Sequence, residues 1–486
     1  LALTKKITYL LLSLLMAGFM FFSCEKDIYN NSGSAKLAFS TDTVMFDTIF
    51  TTLGSTTQSF RVINPTNQKL LISTIKLAGG NDSPYRLNID GEMVDELSDL
   101  EILGNDSIYI FVEITVDPNG VNQPMIVQDS VVFKVNGNLQ DVDLIAYGQD
   151  VVLLNGEITT PLTLTGDKPY LVFDSLVIKE KQILTIEPGA RIHFHQSAYF
   201  RIDGAVKAIG TFEQPIVFQG DRLEEMYDDV PEQWYGILIF PSHLISKFVN
   251  VEIKNAFIGL QVGVIEVEGS ANVELKNVKI QHMSYAGLFC LKSNVTASNT
   301  LVADCGRYGV TMIAGGYYSF THCTVANYWG SVSHRGTPSV YISNQLYVEY
   351  LNTLFIGDLS STWENSIIYG NLSGSEVVFG DNGQNAFDVN FDHCLVKVSD
   401  SIFNANVGLF TEVLREADIR HIDSLFFDIN NYNFMPDSLS QLRDYGLRSY
   451  AERVPFDLGN NSRLVDEGPD IGAYEYIHIE KKEEKE

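Results

Sequence analysis

Basic residues are scarce in this 486-residue chain: 33 Lys and Arg stand against 61 Asp and Glu, a formal charge of -28. That balance repels phosphate backbones, so nucleic acid is excluded as a general partner. Cysteine is rarer still, with five residues, which excludes a disulfide scaffold. Three Trp and 14 Pro leave no Pro-rich tract and no Cys…Trp…Cys set of the antibody type. No apolar run after residue 22 is long enough to span a bilayer. What remains is a chain that is 45% hydrophobic and only 19% charged, too apolar for disorder and long enough for two or three cores.

The first 24 residues predict a compartment. Lys5 and Lys6 precede an apolar stretch over 7–22, then Ser23 and Cys24. A basic start, a short apolar middle and a small residue make a secretory signal over 1–23. The segment resembles a bacterial lipoprotein signal in which Cys24 becomes lipidated, with Phe21 where that pattern prefers Leu. Lipidation implies a membrane partner through the acyl chains, on an outer-membrane lipoprotein. Residues 24–35 read as a polar tether, and Glu25-Lys26-Asp27 resembles a surface-export signal.

Residues 36–150 read as strands at 43–47, 58–64, 70–77, 107–116, 129–135 and 141–147, separated by turn residues. Asn136-Gly137 between two apolar alternations predicts a tight hairpin, because both positions tolerate positive φ. About seven short strands in this length predict an immunoglobulin-like sandwich.

Beyond residue 150 the sequence repeats. Asn250-Val-Glu-Ile-Lys-Asn255 matches Asn272-Val-Glu-Leu-Lys-Asn277 at 22 residues, and Asn294-Val-Thr-Ala-Ser-Asn299 follows at 22 more. The slot of Asn255, Asn277 and Asn299 recurs at His322, Asn344, Asn365 and His393, with spacings of 22, 22, 23, 22, 21 and 28. A period near 22 built from alternating rather than helical apolar patterns predicts a β-solenoid. Equivalent residues of successive turns then lie about 4.8 Å apart, so carboxamides at a bend stack into a ladder. Charged residues there would repel their copies.

Leu184-Thr-Ile-Glu-Pro-Gly-Ala-Arg-Ile-His-Phe194, Ile202-Asp-Gly204, Gly210-Thr-Phe-Glu-Gln-Pro-Ile-Val-Phe218 and the ending Asp466-Glu-Gly-Pro-Asp-Ile-Gly-Ala-Tyr-Glu475 carry a family resemblance. They resemble right-handed parallel β-helix proteins of the pectate-lyase-like class, most closely its lipoproteins from Bacteroides-type bacteria. The resemblance covers roughly 155–476 and implies a right-handed β-helix there; with the sandwich the chain reads as all-β, the β-helix over 151–476 losing its period in an irregular C-terminal cap at 411–476, before a charged tail at 477–486. Short helices are expected at 411–419 and 436–445. The class hosts lyases, hydrolases, adhesins and inert stalks, so activity does not follow from fold.

Several residues are candidates for chemistry. In the turn register Leu260, His282, Asp304 and Asn327 share a column, with Tyr285 and Arg307 three residues on. His282 or Tyr285 as base, Asp304 tuning it and Arg307 neutralising a uronate would suit β-elimination on an acidic polysaccharide; His334-Arg335 would extend that patch. The bland reading is a polar outer face. The loop holding Asp221, Glu224, Glu225, Asp228 and Asp229 carries six carboxylates in twelve residues, enough oxygens for Ca²⁺ but without an EF-hand spacing. His193 and His195 alternate on one strand and read as an outward pair. Phe391-Asp-His-Cys394 has an Asp-His pair but no preceding Trp, and His393 reads as a ladder residue. Tyr308, Tyr317, Tyr318, Tyr328 and Trp329 are candidates for a sugar-stacking platform, and the remaining cysteines for buried thiols. The composite expectation is a lipid-anchored envelope protein that binds glycan or serves structurally, with a polysaccharide lyase as the alternative.

Overall fold

The computed structural model describes residues 28–118, 120, 124–330, 334–465 and 467–478. Cys24, the 1–23 signal and residues 479–486 lie outside the described residues. The protein is all-β, and the chain divides into two compact units, Leu1–Asp150 and Val151–Glu486.

The first unit has two five-stranded sheets. One runs Ala38–Phe39, Gln58–Ile63, Ser107–Ile114, Tyr85–Ile89, Glu92–Met93; the other runs Thr43–Phe50, Asn138–Gln149, Met125–Val135, Leu70–Leu77, Glu96–Ile102. Alternating inward residues of both sheets, among them Phe46, Phe60, Tyr85, Ile110, Phe133 and Leu144, form one core. Asn136 and Gly137 take φ of 48° and 85° and join a long antiparallel hairpin with Asn138 opposite Val135. Strands Tyr85–Ile89 and Glu96–Ile102 are absent from the sequence reading. The second has acids at 96, 99 and 101 and lies on a sheet edge, where charge discourages further pairing.

The second unit is built from one 22-stranded sheet whose register pairs are all parallel. The chain returns beside itself once per rung, in three stacked series. One runs through Trp234–Ile239, Ala256–Val262, Ala286 onward, Tyr308 onward and Val340–Ser343. Inward residues stack as continuous columns, such as Phe320 on Trp363 at 4.0 Å, Trp363 on Phe391 at 6.0 Å and Phe391 on Phe410 at 5.4 Å. Cys290, Cys305, Cys323 and Cys394 are buried free thiols in this interior, and burial pushes the Cys323 thiol up to about 12.

The amide ladder is present, but two of its expected members are not in it. Asn277 Nδ2 donates to Asn250 Oδ1 at 3.0 Å and Asn299 Nδ2 to Asn277 Oδ1 at 3.0 Å. Asn365 Nδ2 reaches His322 Nε2 at 3.1 Å, and the register carries the column on to His393. Burial, reinforced by Arg463, holds the His322 imidazole well below its usual range, so it is neutral and Nε2 can accept. All six residues have φ between 45° and 54°, the left-handed corner that Asn and His tolerate.

Asn255 belongs to a different corner. The sheet pairs Val249 with Lys276 and Val251 with Val278, which puts Asn250 under Asn277. That rung has 27 residues, lengthened by the loop after Val262, and the similar Asn250–Asn255 and Asn272–Asn277 motifs sit five residues out of register. Asn344 is also outside the ladder. His322 and Asn365 are neighbours across a single 43-residue rung carrying a hairpin of Gln345–Val348 and Thr353–Ile356. Two periods of 22 and 21 were in fact one long rung, and Asn344 bonds Asp381 Oδ1 at 2.9 Å instead.

The helices expected at 411–419 and 436–445 do not form. The first holds a two-residue strand and a 3-10 turn, the second turns only. The α-helices among the described residues are Asp400–Ala405 and Arg448–Ala451. Nor is 411–476 simply an end cap, because its later part folds back along the ladder. Leu447 N donates to Asn365 Oδ1 at 2.8 Å, Ala473 N to Thr324 Oγ1 at 2.8 Å, and the buried Arg463 guanidinium to Asn299 Oδ1 at 2.9 Å. Arg463 is held in turn by Glu475 at 2.5 Å. The free amide edges of the column are thereby satisfied by the chain's own C-terminal segment.

Asn299→Ala is expected to destabilise the protein by roughly 2–4 kcal/mol in urea unfolding, since it strands a buried guanidinium donor as well as an amide. Asn255→Ala should cost less and raise protease cleavage within 221–232. Equal losses would show that the ladder runs through Asn255.

Candidate functional site

The corners of the second unit place the candidate residues. Asn255, His282 and Asp304, with φ of 66°, 60° and 51°, stack at one corner, since Lys254 pairs with Gln281 and Gln281 with Ala303. Leu260 is not in this column: it pairs with Leu288 in the interior. Asn327 lies above Asp304 but bonds the Cys305 backbone at 3.0 and 2.9 Å.

His282 is 5% exposed. Its Nδ1 is 2.8 Å from Asp304 Oδ2 and its Nε2 is 3.2 Å from Asp229 Oδ1. The Asp304 contact is a hydrogen bond and the Asp229 contact lies at ion-pair distance. The Tyr432 ring stands edge-on over it at 4.6 Å. Burial, then Asp304 and Asp229, push the Tyr432 phenol up to about 12. His282 therefore pins a surface loop, and no side of its ring is open to a sugar.

That loop is the acidic one. Asn255 Nδ2 donates to the carbonyls of Asp228 at 2.8 Å and Val230 at 3.0 Å. Its carboxylates diverge to separate partners: Asp221 to His195 at 2.6 Å, Glu224 to Arg222 at 3.2 Å, Asp228 to Lys254 at 3.9 Å, and Asp229 to His282. Glu225 opens a 3-10 turn. Among the described residues no cluster of three or more His, Cys, Asp or Glu is placed to hold a metal, so these carboxylates do not assemble the Ca²⁺ cage weighed against a solvated acidic insertion.

Tyr285 and Arg307 sit on the outer face of the strands that follow the corner. The Arg307 guanidinium lies 5.6 Å from the Tyr285 ring centre. Rings on successive rungs continue the contact: Tyr235 to Phe257 at 5.6 Å, Phe257 to Tyr285 at 5.2 Å, Tyr285 to Tyr308 at 6.2 Å and Tyr308 to Tyr341 at 6.3 Å. Phe289 joins from the side, 5.8 Å from Tyr285. All are at least partly exposed. Gly236 makes the first of these possible: its φ is 135°, and a Cβ there would stand 1.9 Å from the Ile258 carbonyl oxygen. The backbone shifts register at that bulge and Tyr235 turns outward.

The sequence reading missed Tyr235, Phe257, Phe289 and Tyr341. For Tyr235 and Phe257 the usable signal was an aromatic residue three and two positions after the left-handed Glu232 and Asn255; Phe289 and Tyr341 had none. The reading favoured others that are not on this face. Tyr318 and Trp329 are buried, Tyr328 packs on Tyr369, Phe426 and Phe434, and Tyr317 is exposed on a different series of strands. The patch is not extended by Arg335, which is buried in a bidentate pair with Glu376 at 2.8 and 2.6 Å. His334 is exposed. His393 bonds Asp392 at 2.7 Å inside the ladder. The outward His pair is also corrected. His195 stacks on Phe173 at 4.2 Å, whereas His193 is 3% exposed and faces the Gly220 carbonyl at 3.1 Å.

Comparison with known proteins adds little to this geometry. No family model matches the chain, and no curated protein matches it. Among solved structures, the chain is similar to a family 123 glycoside hydrolase from Clostridium perfringens studied for glycolipid glycan hydrolysis. Identity is 8%, coverage 27% of this chain and 30% of that one, and the TM-score 0.18. It is also similar to the periplasmic chaperone SfaE, at 10% identity over 25% of this chain and 66% of that one, with a TM-score of 0.17. At these scores neither likeness carries an argument about fold or function.

Burial lowers the His193 pKa to about 4. A histidine kept neutral by the fold, against ~6.5 when unfolded, gives stability that is complete above pH 6.5 and lost as pH falls towards 4, in all roughly 3 kcal/mol. Urea unfolding at pH 7 and pH 4.5 should show this drop, and His193→Gln should shrink it. An unchanged slope would place the acid sensitivity elsewhere.

Proposed function

We propose that the protein is a lipid-anchored envelope protein whose second unit, a right-handed parallel β-helix resembling the pectate-lyase-like class, binds glycan without chemistry. Its first unit is read as an immunoglobulin-like spacer. The observation that carries the binding reading is the row of outward aromatic rings Tyr235, Phe257, Tyr285, Tyr308 and Tyr341 on consecutive rungs. Side chains with an apolar face and a polar edge suit the faces and hydroxyls of sugar rings.

With His282 as its base, the lyase alternative loses support from the same geometry. β-Elimination needs a base and a cation around one sugar. His282 is enclosed by the acidic loop and Tyr432, while Tyr285 and Arg307 face outward.

Incubating the purified chain with a glycan array should give binding that Tyr285→Ala reduces, with no unsaturated product absorbing in the ultraviolet. Blank arrays would remove the binding role, and a rising absorbance lost in Tyr285→Ala would restore the lyase. For the anchor, Cys24→Ala is expected to move the protein from the membrane to the soluble fraction of cells; retention in membranes would sink the lipidation reading.

A further inference from the structure

The same aromatic row has a direction, a charge and two walls, and these specify its ligand beyond the binding reading on which they rest. Tyr235, Phe257, Tyr285, Tyr308 and Tyr341 come from five successive rungs. Neighbouring ring centres are 5.2 to 6.3 Å apart. Tyr235, Phe257 and Tyr285 share one register across the strands, with the strand spacing of ~4.8 Å as the underlying step, and the row then slants along the strands, Tyr308 one place past Tyr285 and Tyr341 three past Tyr308. That step is comparable to the advance of one pyranose in an extended chain. A polymer lying along a strand would meet one or two rings; one lying across the strands meets all five.

Charge decides the class of polymer. Leu238, Gln261 and Phe289 lie in register beside the row and are uncharged; Arg201 precedes Leu238 in that register, held by Asp203, and Arg307 stands against Tyr285. Loops rise at both corners of these strands. The 221–232 loop, held on Asn255 and His282, presents Asp228 and Asp229, each with a side chain 61% exposed. At the other corner the Gln345–Val348/Thr353–Ile356 hairpin packs through Leu346 and Phe355 on Leu291, Ile313 and Ala314. Exposed Glu266 and Glu349 lie there, Glu266 hydrogen-bonded by Tyr350, with Lys292 as the local cation. Acidic walls on a protein of net charge -28 oppose a chain with a carboxylate on every sugar, and two guanidinium groups, one of them already paired with Asp203, cannot match that repeat.

We propose that this strip takes an uncharged, extended polysaccharide laid along the stacking direction, one sugar per rung. The rings then supply apolar contact to successive sugars, and the Tyr hydroxyls with the half-buried Gln261 supply hydrogen bonds.

The test is calorimetric titration of the full chain with soluble xylan, mannan and β-glucan and, in parallel, with polygalacturonate, alginate and hyaluronate. At least one neutral polymer should bind, with an affinity that changes less than about twofold between low and ~0.5 M salt, because no charges are paired. Oligomers of that polymer should gain affinity with each sugar up to about five, the number of rungs in the row. Phe257→Ala and Tyr285→Ala should each weaken binding about five- to tenfold, while Tyr317→Ala, an exposed ring off the strip, should leave it unchanged. Preference for the uronate polymers, or salt-sensitive binding, would overturn the neutral ligand and leave glycan binding standing. A plateau at two sugars would overturn the axial course. Failure of every polymer to bind would overturn both the inference and the binding reading beneath it.

Discussion

The parallel register between successive rungs is the constraint on which everything else depends. Each rung's backbone bonds to the rungs on either side, so a residue's neighbours are set by how many residues its rung contains. Where the count changes by five, as after Val262, every outward residue is reassigned. The left-handed corners protect this register. Asn250, Asn277, Asn299, His322, Asn365 and His393 turn the chain at positive φ, and the carboxamides among them pass side-chain bonds from rung to rung. A column with fixed corners aligns the strands between them, much as paired side chains fix the register of a hairpin.

That alignment separates two kinds of residue three positions apart in sequence. At the corner, His282 and Asp304 are drawn inward and consumed in pinning the acidic loop. On the strand that follows, Tyr285 and Arg307 face outward and join rings from other rungs. The polar group that looked most like chemistry is structural, and the aromatic residues between the apolar alternations form the surface with the clearer capacity to bind. The acidic loop illustrates the same point. Six carboxylates close in sequence suggest a cation site, but the corner amide of Asn255 and the partners around it spread them apart.

The C-terminal segment gives the second unit a further tie. Arg463, fully buried, reads Asn299 while Glu475 balances its charge. Residues some 160 positions apart thus share one polar network. A buried ion pair is a weak source of stability but a strong discriminator of geometry, since removing either partner leaves an unpaired charge in the interior. This contact fixes where the irregular segment lies along the ladder.

The sequence by itself determined the all-β class, the periodic second half, the tight turn at Asn136-Gly137 and the need for Asn or His at a repeated corner. Those follow from local rules: alternation, tolerance of positive φ and the repulsion of stacked charges. Only the tertiary structure decided which Asn stacks on which. The motif around Asn250 fits two registers equally well by composition, and the 43-residue rung imitates two ordinary ones by length. It alone decided that Tyr235, Phe257, Tyr285, Tyr308 and Tyr341 form one row, because sequence intervals of 22 to 33 residues between them conceal ring contacts that are regular only in space. Rung length is set by long-range backbone pairing, which no window of local sequence encodes.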